Sequence, residues 1–222
     1  MRTSELASSP VNFAPDLKNA LMITALHRRI ASLLLCLSLV SCTEMAYRQM
    51  NDPSRNAWQK PKEVIERLAI MPGSRVADLG AGGGYFTWYL AEAVGPQGTV
   101  YAVDVDETGL GIIKKEMNAR AVRNVVPIHA EPGDAKVPEA VDLVFSCDTY
   151  HHMTDRVGYF KSLARYLKED GRIAILDFHP HGFFSGLLGH GTAQEVVKRY
   201  RRTADFTFID RQHFQIFTRT GS

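Results

Sequence analysis

Two features of this chain are spaced as a grip on a small ligand. The first is Asp78-Leu79-Gly80-Ala81-Gly82-Gly83-Gly84-Tyr85-Phe86, a glycine-rich turn. It follows the short apolar run Arg75-Val76-Ala77-Asp78-Leu79 and precedes a helical segment from about Tyr85 to Val94. Glycine lets the backbone turn tightly and lets a ligand come against main-chain atoms. The start of the following helix offers unpaired N–H groups. The second feature is Asp104, 24 residues after Gly80, at the end of the apolar run Thr99 to Val103. That is about the separation at which an acid takes ribose hydroxyls in a strand–loop–helix–strand unit. In open α/β sheets such turns lie at the carboxyl ends of the strands, where ligands bind. A glycine cluster alone is often only a turn; together with the acid it points to a nucleoside.

The phosphate-binding alternatives fit less well. The dinucleotide fingerprint asks for Gly-x-Gly-x-x-Gly or Ala. Gly80 and Gly82 satisfy its first two places, but Tyr85 fills the third. A side chain of that size obstructs the close helix–strand packing used around a pyrophosphate. No Gly-Lys-Ser/Thr phosphate loop is present, and no clear Tyr-x-x-x-Lys pair marks an NAD-dependent oxidoreductase. A ribose without a phosphate beside it fits better.

The elements that must position these residues alternate along the chain. Pro61 suits a first helical turn, and Val64, Ile65, Leu68 and Ile70 give that helix an apolar face until Pro72-Gly73. After the first two strands come a helix from Thr108 to Arg120 and a third strand, Val125 to His129. A fourth strand, Val141 to Cys147, is apolar enough for burial on both faces. Thr154 can cap a helix running through Leu167, which Gly171 ends; Arg172 to Phe178 is a fifth strand. Strands alternating with helices predict a doubly wound parallel sheet. Beyond Phe178, His179 to His190 has no period. Thr192 to Tyr200 reads as a helix, and Phe206 to Ile209 with His213 to Thr218 as a terminal antiparallel hairpin.

Composition excludes several classes. Of 222 residues, 45% are hydrophobic and 23% charged, the balance of a folded globular chain. That rules out disordered, collagen-like and polytopic membrane proteins. A net charge of +2, from 26 basic and 24 acidic residues, gives no footprint for nucleic acid. The thiols of Cys36, Cys42 and Cys147 make neither a disulfide framework nor a Cys-x-x-Cys zinc pair. His179-x-His181 lacks spaced carboxylate or thiol partners, so no metal is expected.

The N-terminal segment reads as an address. His27-Arg28-Arg29 precedes an uncharged apolar run from Ile30 to Val40. Eleven residues rise only about 16 Å as a helix, roughly half of a bilayer core. A basic stretch, a short apolar stretch and a small-residue exit form a secretory signal. The exit Leu39-Val40-Ser41-Cys42 resembles the lipobox of bacterial lipoproteins, in which the chain is cleaved before the cysteine and its thiol becomes a thioether to lipid. Residues 1–41 are therefore expected to be a leader, with translation starting at Met22, and Cys42 to be the lipidated residue. A linker over 42–57 and one domain over 58–222 follow. The expected location is the bacterial cell envelope, anchored and facing the periplasm, or the cytoplasm if the signal is unused. The membrane would be touched only through the anchor.

From Trp58 to Phe178 the chain resembles the class I S-adenosylmethionine-dependent methyltransferases. The residues carrying the likeness are Val76 to Thr87, Val103-Asp104, Val141 to Phe145, and Asp148-Thr149-Tyr150-His151-His152. The resemblance implies a Rossmann-like, mostly parallel seven-stranded sheet with an antiparallel last strand. It implies S-adenosylmethionine as cofactor, with Asp78, Gly80, Gly82 and Gly84 at its methionine end and Asp104 on both ribose hydroxyls. The acid near adenine would be Glu131 by strand spacing, although Gly133-Asp134 looks more like the usual family phrase. The loop from Asp148 would border the transferred methyl, with Asp148, His151 and His152 as candidate bases should the acceptor have to lose a proton. Phe183, Phe184, Leu187 and Leu188 would line a lid over a small-molecule or lipid acceptor. An exported, non-catalytic nucleoside-binding protein on the same fold is the alternative reading.

Overall fold

The computed structural model describes residues 26–29, 43–149, 152–153, 155–178, 200–208 and 212–219. The chain divides into two units, Met1–Cys42 and Thr43–Ser222. In the first, residues 26–29 form a single helical turn. The apolar run 30–40, Cys36 and Cys42 lie outside the described residues. Among those described, no helix is long and apolar enough to cross a membrane.

The second unit is built on five parallel strands: β1 (Arg75–Leu79), β2 (Thr99–Asp104), β3 (Val125–His129), β4 (Val141–Cys147) and β5 (Leu167–Phe178). They lie in the order β3-β2-β1-β4-β5, so the chain winds outward in one direction from β1 and then in the other. The helices are α1 (residues 43–50), α2 (Asn56–Gln59), α3 (Pro61–Leu68), α4 (Tyr85–Val94), α5 (Glu107–Ala119) and α6 (Arg156–Leu163).

Period-two alternation in the strands sorts their side chains onto two faces. Val76, Val100, Ala102, Leu143, Phe145, Ala174 and Leu176 pack against Val64 and Leu68 of α3, Phe86, Leu90 and Val94 of α4, and Leu110 and Ile113 of α5. Ala77, Leu79, Tyr101, Val103, Val144, Ile173 and Ile175 pack against Phe160 and Leu163 of α6. Both faces are thus covered, as a parallel sheet requires. Phe86 meets Phe145 edge-on with ring centroids 4.9 Å apart, which pins the glycine-loop helix to β4.

After β5, β7 (Gln212–Arg219) runs antiparallel along it, and β6 (Tyr200–Phe208) runs antiparallel along β7. The expected helix from Thr192 therefore does not reach Tyr200, which already belongs to β6; residues 192–199 lie outside the described residues. So do Phe183, Phe184, Leu187 and Leu188 of the expected lid.

The largest departure from the sequence reading is between α6 and β5. The helix expected to run through Leu167 stops at Leu163, followed by a 3₁₀ turn, Ala164–Tyr166. Strand β5 begins at Leu167, and Gly171 lies within it rather than ending the helix. The reason is a bulge: Leu167 pairs with Val141 but Arg172 with Leu143, so β5 carries extra residues between them. A Cβ on Gly171 would lie 2.9 Å from that of Leu167, so the bulge needs glycine. The expected cap, Thr154, lies outside the described residues. The stretch expected as a linker, 42–57, holds α1, a 3₁₀ turn at Pro53–Arg55 and the start of α2.

Candidate functional site

The two predicted halves of the grip meet. Gly82 N–H donates to Asp104 Oδ2 at 2.7 Å, and Asp106 N–H donates to Asp104 Oδ1 at 2.9 Å. Each oxygen of the Asp104 carboxylate is oriented by one main-chain donor and keeps acceptor capacity for another. Gly80 and Ala81 both donate N–H to the Val103 carbonyl, at 2.8 and 3.1 Å, so the loop after β1 is tied to the end of β2. Gly80 has φ +75° and Gly84, which caps α4, has φ +93°, backbone states in which a side chain is strained. A Cβ on Gly80 would also lie 2.0 Å from Thr149 Oγ1.

One residue essential to this geometry escaped the sequence reading. A Cβ on Gly109, in the first turns of α5, would lie 2.5 Å from the Gly82 carbonyl oxygen. Only glycine lets that helix approach the loop so closely. The available signal was a glycine inside a helix, where it costs about 1 kcal/mol against alanine and so asks for a reason.

Asp78 is 2% exposed and accepts the Thr87 hydroxyl at 2.6 Å. Burial pushes its carboxyl up to about 7; the Thr87 bond acts the other way and the Asp104 charge adds to the rise. A buried acid of this kind is well served by an incoming cation.

The loop after β4 closes over the same place. Asp148 takes φ +50°, and its N–H donates to the Leu176 carbonyl at 2.9 Å. Its carboxylate pairs with Arg55 at 2.7 Å, both side chains being largely buried at 15% and 16% exposure. Thr149 Oγ1 donates to the Cys147 carbonyl at 2.9 Å and stands 3.4 Å from the Gly80 carbonyl. His152 is exposed, and its N–H donates to the Thr149 carbonyl at 3.0 Å. His151 lies outside the described residues. Asp148 is thus close to the glycine loop, engaged in an ion pair, whereas His152 faces solvent.

The two candidate acids after β3 are placed differently. Ala130 N–H donates to the Asp104 carbonyl at 2.8 Å, so this loop starts beside the grip. Glu131 and Asp134 then bond each other through their backbones in a tight turn, at 2.9 and 3.0 Å. The exposed Glu131 carboxylate pairs with Lys136. Asp134 accepts from Tyr166, Arg165 and Lys136 N–H, and the Tyr166 hydroxyl above all holds its carboxyl down at about 2. Among the described residues no cluster of His, Cys, Asp or Glu could hold a metal ion. Cys147 accepts from Gln59 Nε2 at 3.3 Å, and burial raises its thiol well above the usual range.

The chain is similar to known proteins in sequence and in fold. Residues 77–173 match the family described as "Methyltransferase domain". The demethylmenaquinone methyltransferase of Geobacillus stearothermophilus is 30% identical over 117 residues, covering 52% of this chain and 50% of the relative. The ubiquinone/menaquinone biosynthesis C-methyltransferase of Francisella philomiragia is 29% identical over 122 residues, covering 53% and 48%. The chain thus spans about half the length of the curated relatives it matches. A solved S-adenosylmethionine-dependent methyltransferase from Aquifex aeolicus superposes with a TM-score of 0.69, over 80% of this chain and 98% of that one, at 22% identity, a likeness of fold.

The matched segment is thus similar to a methyltransferase domain, and the fold is of the Rossmann-like α/β kind.

Proposed function

We propose that this chain transfers a methyl group from S-adenosylmethionine to a small-molecule or lipid acceptor. The observation that carries the reading is the 2.7 Å bond from Gly82 N–H to Asp104, which joins glycine loop and acid into one grip. In this reading Asp104 holds the ribose hydroxyls through the acceptor capacity its two main-chain donors leave. Gly80, Gly82 and Gly84 offer main-chain atoms to the amino-acid portion, and Asp78 faces its ammonium group. Glu131 lies towards the adenine. The sheet is the seven-stranded form with an antiparallel last strand, which the pairings of β6 and β7 support.

The bound cofactor supplies an electrophilic methyl on a sulfonium. The protein's part is positioning, which contributes up to roughly 7–11 kcal/mol when two reactants are well aligned. Asp148 and Thr149 border the place where acceptor and methyl meet. Asp148, already paired with Arg55, is an orienting group there; His151 or His152 is the base where the acceptor loses a proton.

The relatives named above carry quinone-biosynthesis names, which makes a ring-bearing apolar acceptor the first class to test. Lipidation at Cys42, with export to the envelope, would hold the domain beside such acceptors. The leader also supports a second reading, a non-catalytic nucleoside-binding protein, because the cofactor is made in the cytosol. The test is incubation with methyl-labelled S-adenosylmethionine and either demethylmenaquinol or envelope extract. Label in an extractable product supports transfer. Tight cofactor binding with no labelled product from either supports the second reading.

A further inference from the structure

Three side chains of the N-terminal segment each bond a different loop of the cofactor cleft. The Tyr47 hydroxyl donates to Asp106 Oδ2 at 2.6 Å, in the loop after β2. The Asn51 amide donates to the Gly83 carbonyl at 2.7 Å, in the loop after β1. The Arg55 guanidinium donates to Asp148 Oδ2 at 2.7 Å, in the loop after β4. The three residues recur every four positions, so the segment spans the carboxyl edge of the sheet one loop at a time.

The fit is close. A Cβ on Gly82 would lie 3.3 Å from the Tyr47 ring, and one on Gly83 2.6 Å from the Asn51 amide nitrogen. Arg55 is held on its other sides as well. Its Nη1 donates to the Met50 carbonyl at 3.0 Å and its Nε to Gln59 Oε1 at 3.2 Å. Its guanidinium lies 4.3 Å from the centre of the Tyr85 ring, at the start of α4. Asp106, the acceptor for Tyr47, is itself the N-cap of α5, and its N–H orients Asp104. The Tyr47 contact therefore lies one residue's geometry away from the ribose acid.

We infer that residues 47–55 form a strap across the nucleoside cleft, and that Tyr47, Asn51 and Arg55 are cofactor-positioning residues, one for each loop. The inference rests on the reading of the cleft as the S-adenosylmethionine site. Cofactor enters and leaves when the strap lifts. A net hydrogen bond is worth roughly a factor of five in such an equilibrium, and a charged one more.

The test is stopped-flow release of S-adenosylhomocysteine from the full chain and from Tyr47→Phe, Asn51→Ala and Arg55→Lys, with thermal midpoints measured alongside. Release is expected to speed up about fivefold in the first two and tenfold or more in the third, out of proportion to any change in midpoint. Bound S-adenosylhomocysteine is expected to slow hydrogen exchange over 43–55 in the wild type. Wild-type binding with unchanged release in all three variants would overturn the strap and leave the cofactor assignment standing. No binding by the wild type would overturn both.

Discussion

The ends of β1 and β2 and the loop after β3 all carry carboxylates at the same edge of the sheet, yet they use them differently. Asp104 is oriented by two main-chain N–H groups and Asp78 by one hydroxyl, and among the described residues no basic side chain forms an ion pair with either. Glu131 and Asp134 are engaged by Lys136, Arg165 and Tyr166. Main-chain donors fix a carboxylate in place without neutralising it, so its charge remains available to a ligand. A cationic side chain takes up part of that charge, so such an acid offers a ligand less. The environment of an acid, rather than its position at the end of a strand, separates the two roles.

Breaking the grip at its most crowded point gives the largest expected effect. Gly80→Ala adds strain of about 1–2 kcal/mol at positive φ and drives a methyl into Thr149. Calorimetry should find cofactor affinity lowered by a hundredfold or more. Gly73→Ala is the matched control: Gly73 has φ +86° but open space around it. It should cost similar stability and leave affinity unchanged.

Asp78 gives an intermediate, pH-dependent effect. Its carboxyl titrates near 7 in the folded protein and near 3.8 when unfolded. A raised pKa favours the folded state fully below 3.8, and that advantage is lost as pH climbs through about 7. Without cofactor, Asp78→Asn should therefore raise the thermal midpoint more at pH 8 than at pH 5. A few degrees are expected, since ~1 kcal/mol moves a domain of this size by about 2–4 °C. Wild-type affinity for the cationic cofactor should rise severalfold between pH 6 and pH 8, and that of Asp78→Asn should not.

The loop after β3 should give the smallest changes, read in different measurements for its two acids. Glu131→Gln removes an exposed pair worth under about 1 kcal/mol and should weaken cofactor binding about threefold. Asp134→Asn should lower the thermal midpoint, as Tyr166 and Arg165 lose a charged acceptor, and leave affinity unchanged. If Asp134→Asn instead weakens binding and Glu131→Gln does not, the assignment near adenine passes to Asp134.

Much of the structure around the glycine loop was legible in the sequence because its signals are local. The runs at β1, β3 and β4 are apolar, short and bounded by turn residues, and they fold with the bounds expected of them. Gly80, Gly82 and Asp104 were legible because a turn and an acid keep a fixed spacing in such units. The boundary between α6 and β5 was not legible, because Leu167 is apolar and fits a helix face or a strand equally well. Only its pairing with Val141 decides between them. The N-terminal segment was illegible for a different reason. Tyr47 and Asp106 are 59 residues apart, and Arg55 and Asp148 are 93 apart, so neither pair leaves a local pattern.

The most direct test is calorimetric titration of the purified full chain and of Asp104→Ala with S-adenosylmethionine and S-adenosylhomocysteine. The wild type should bind both ligands, and the variant should bind each at least tenfold more weakly, ~1.4 kcal/mol, because its paired bonds to the ribose hydroxyls are gone. Equal affinities in a folded variant, or no binding by the wild type, would contradict the grip.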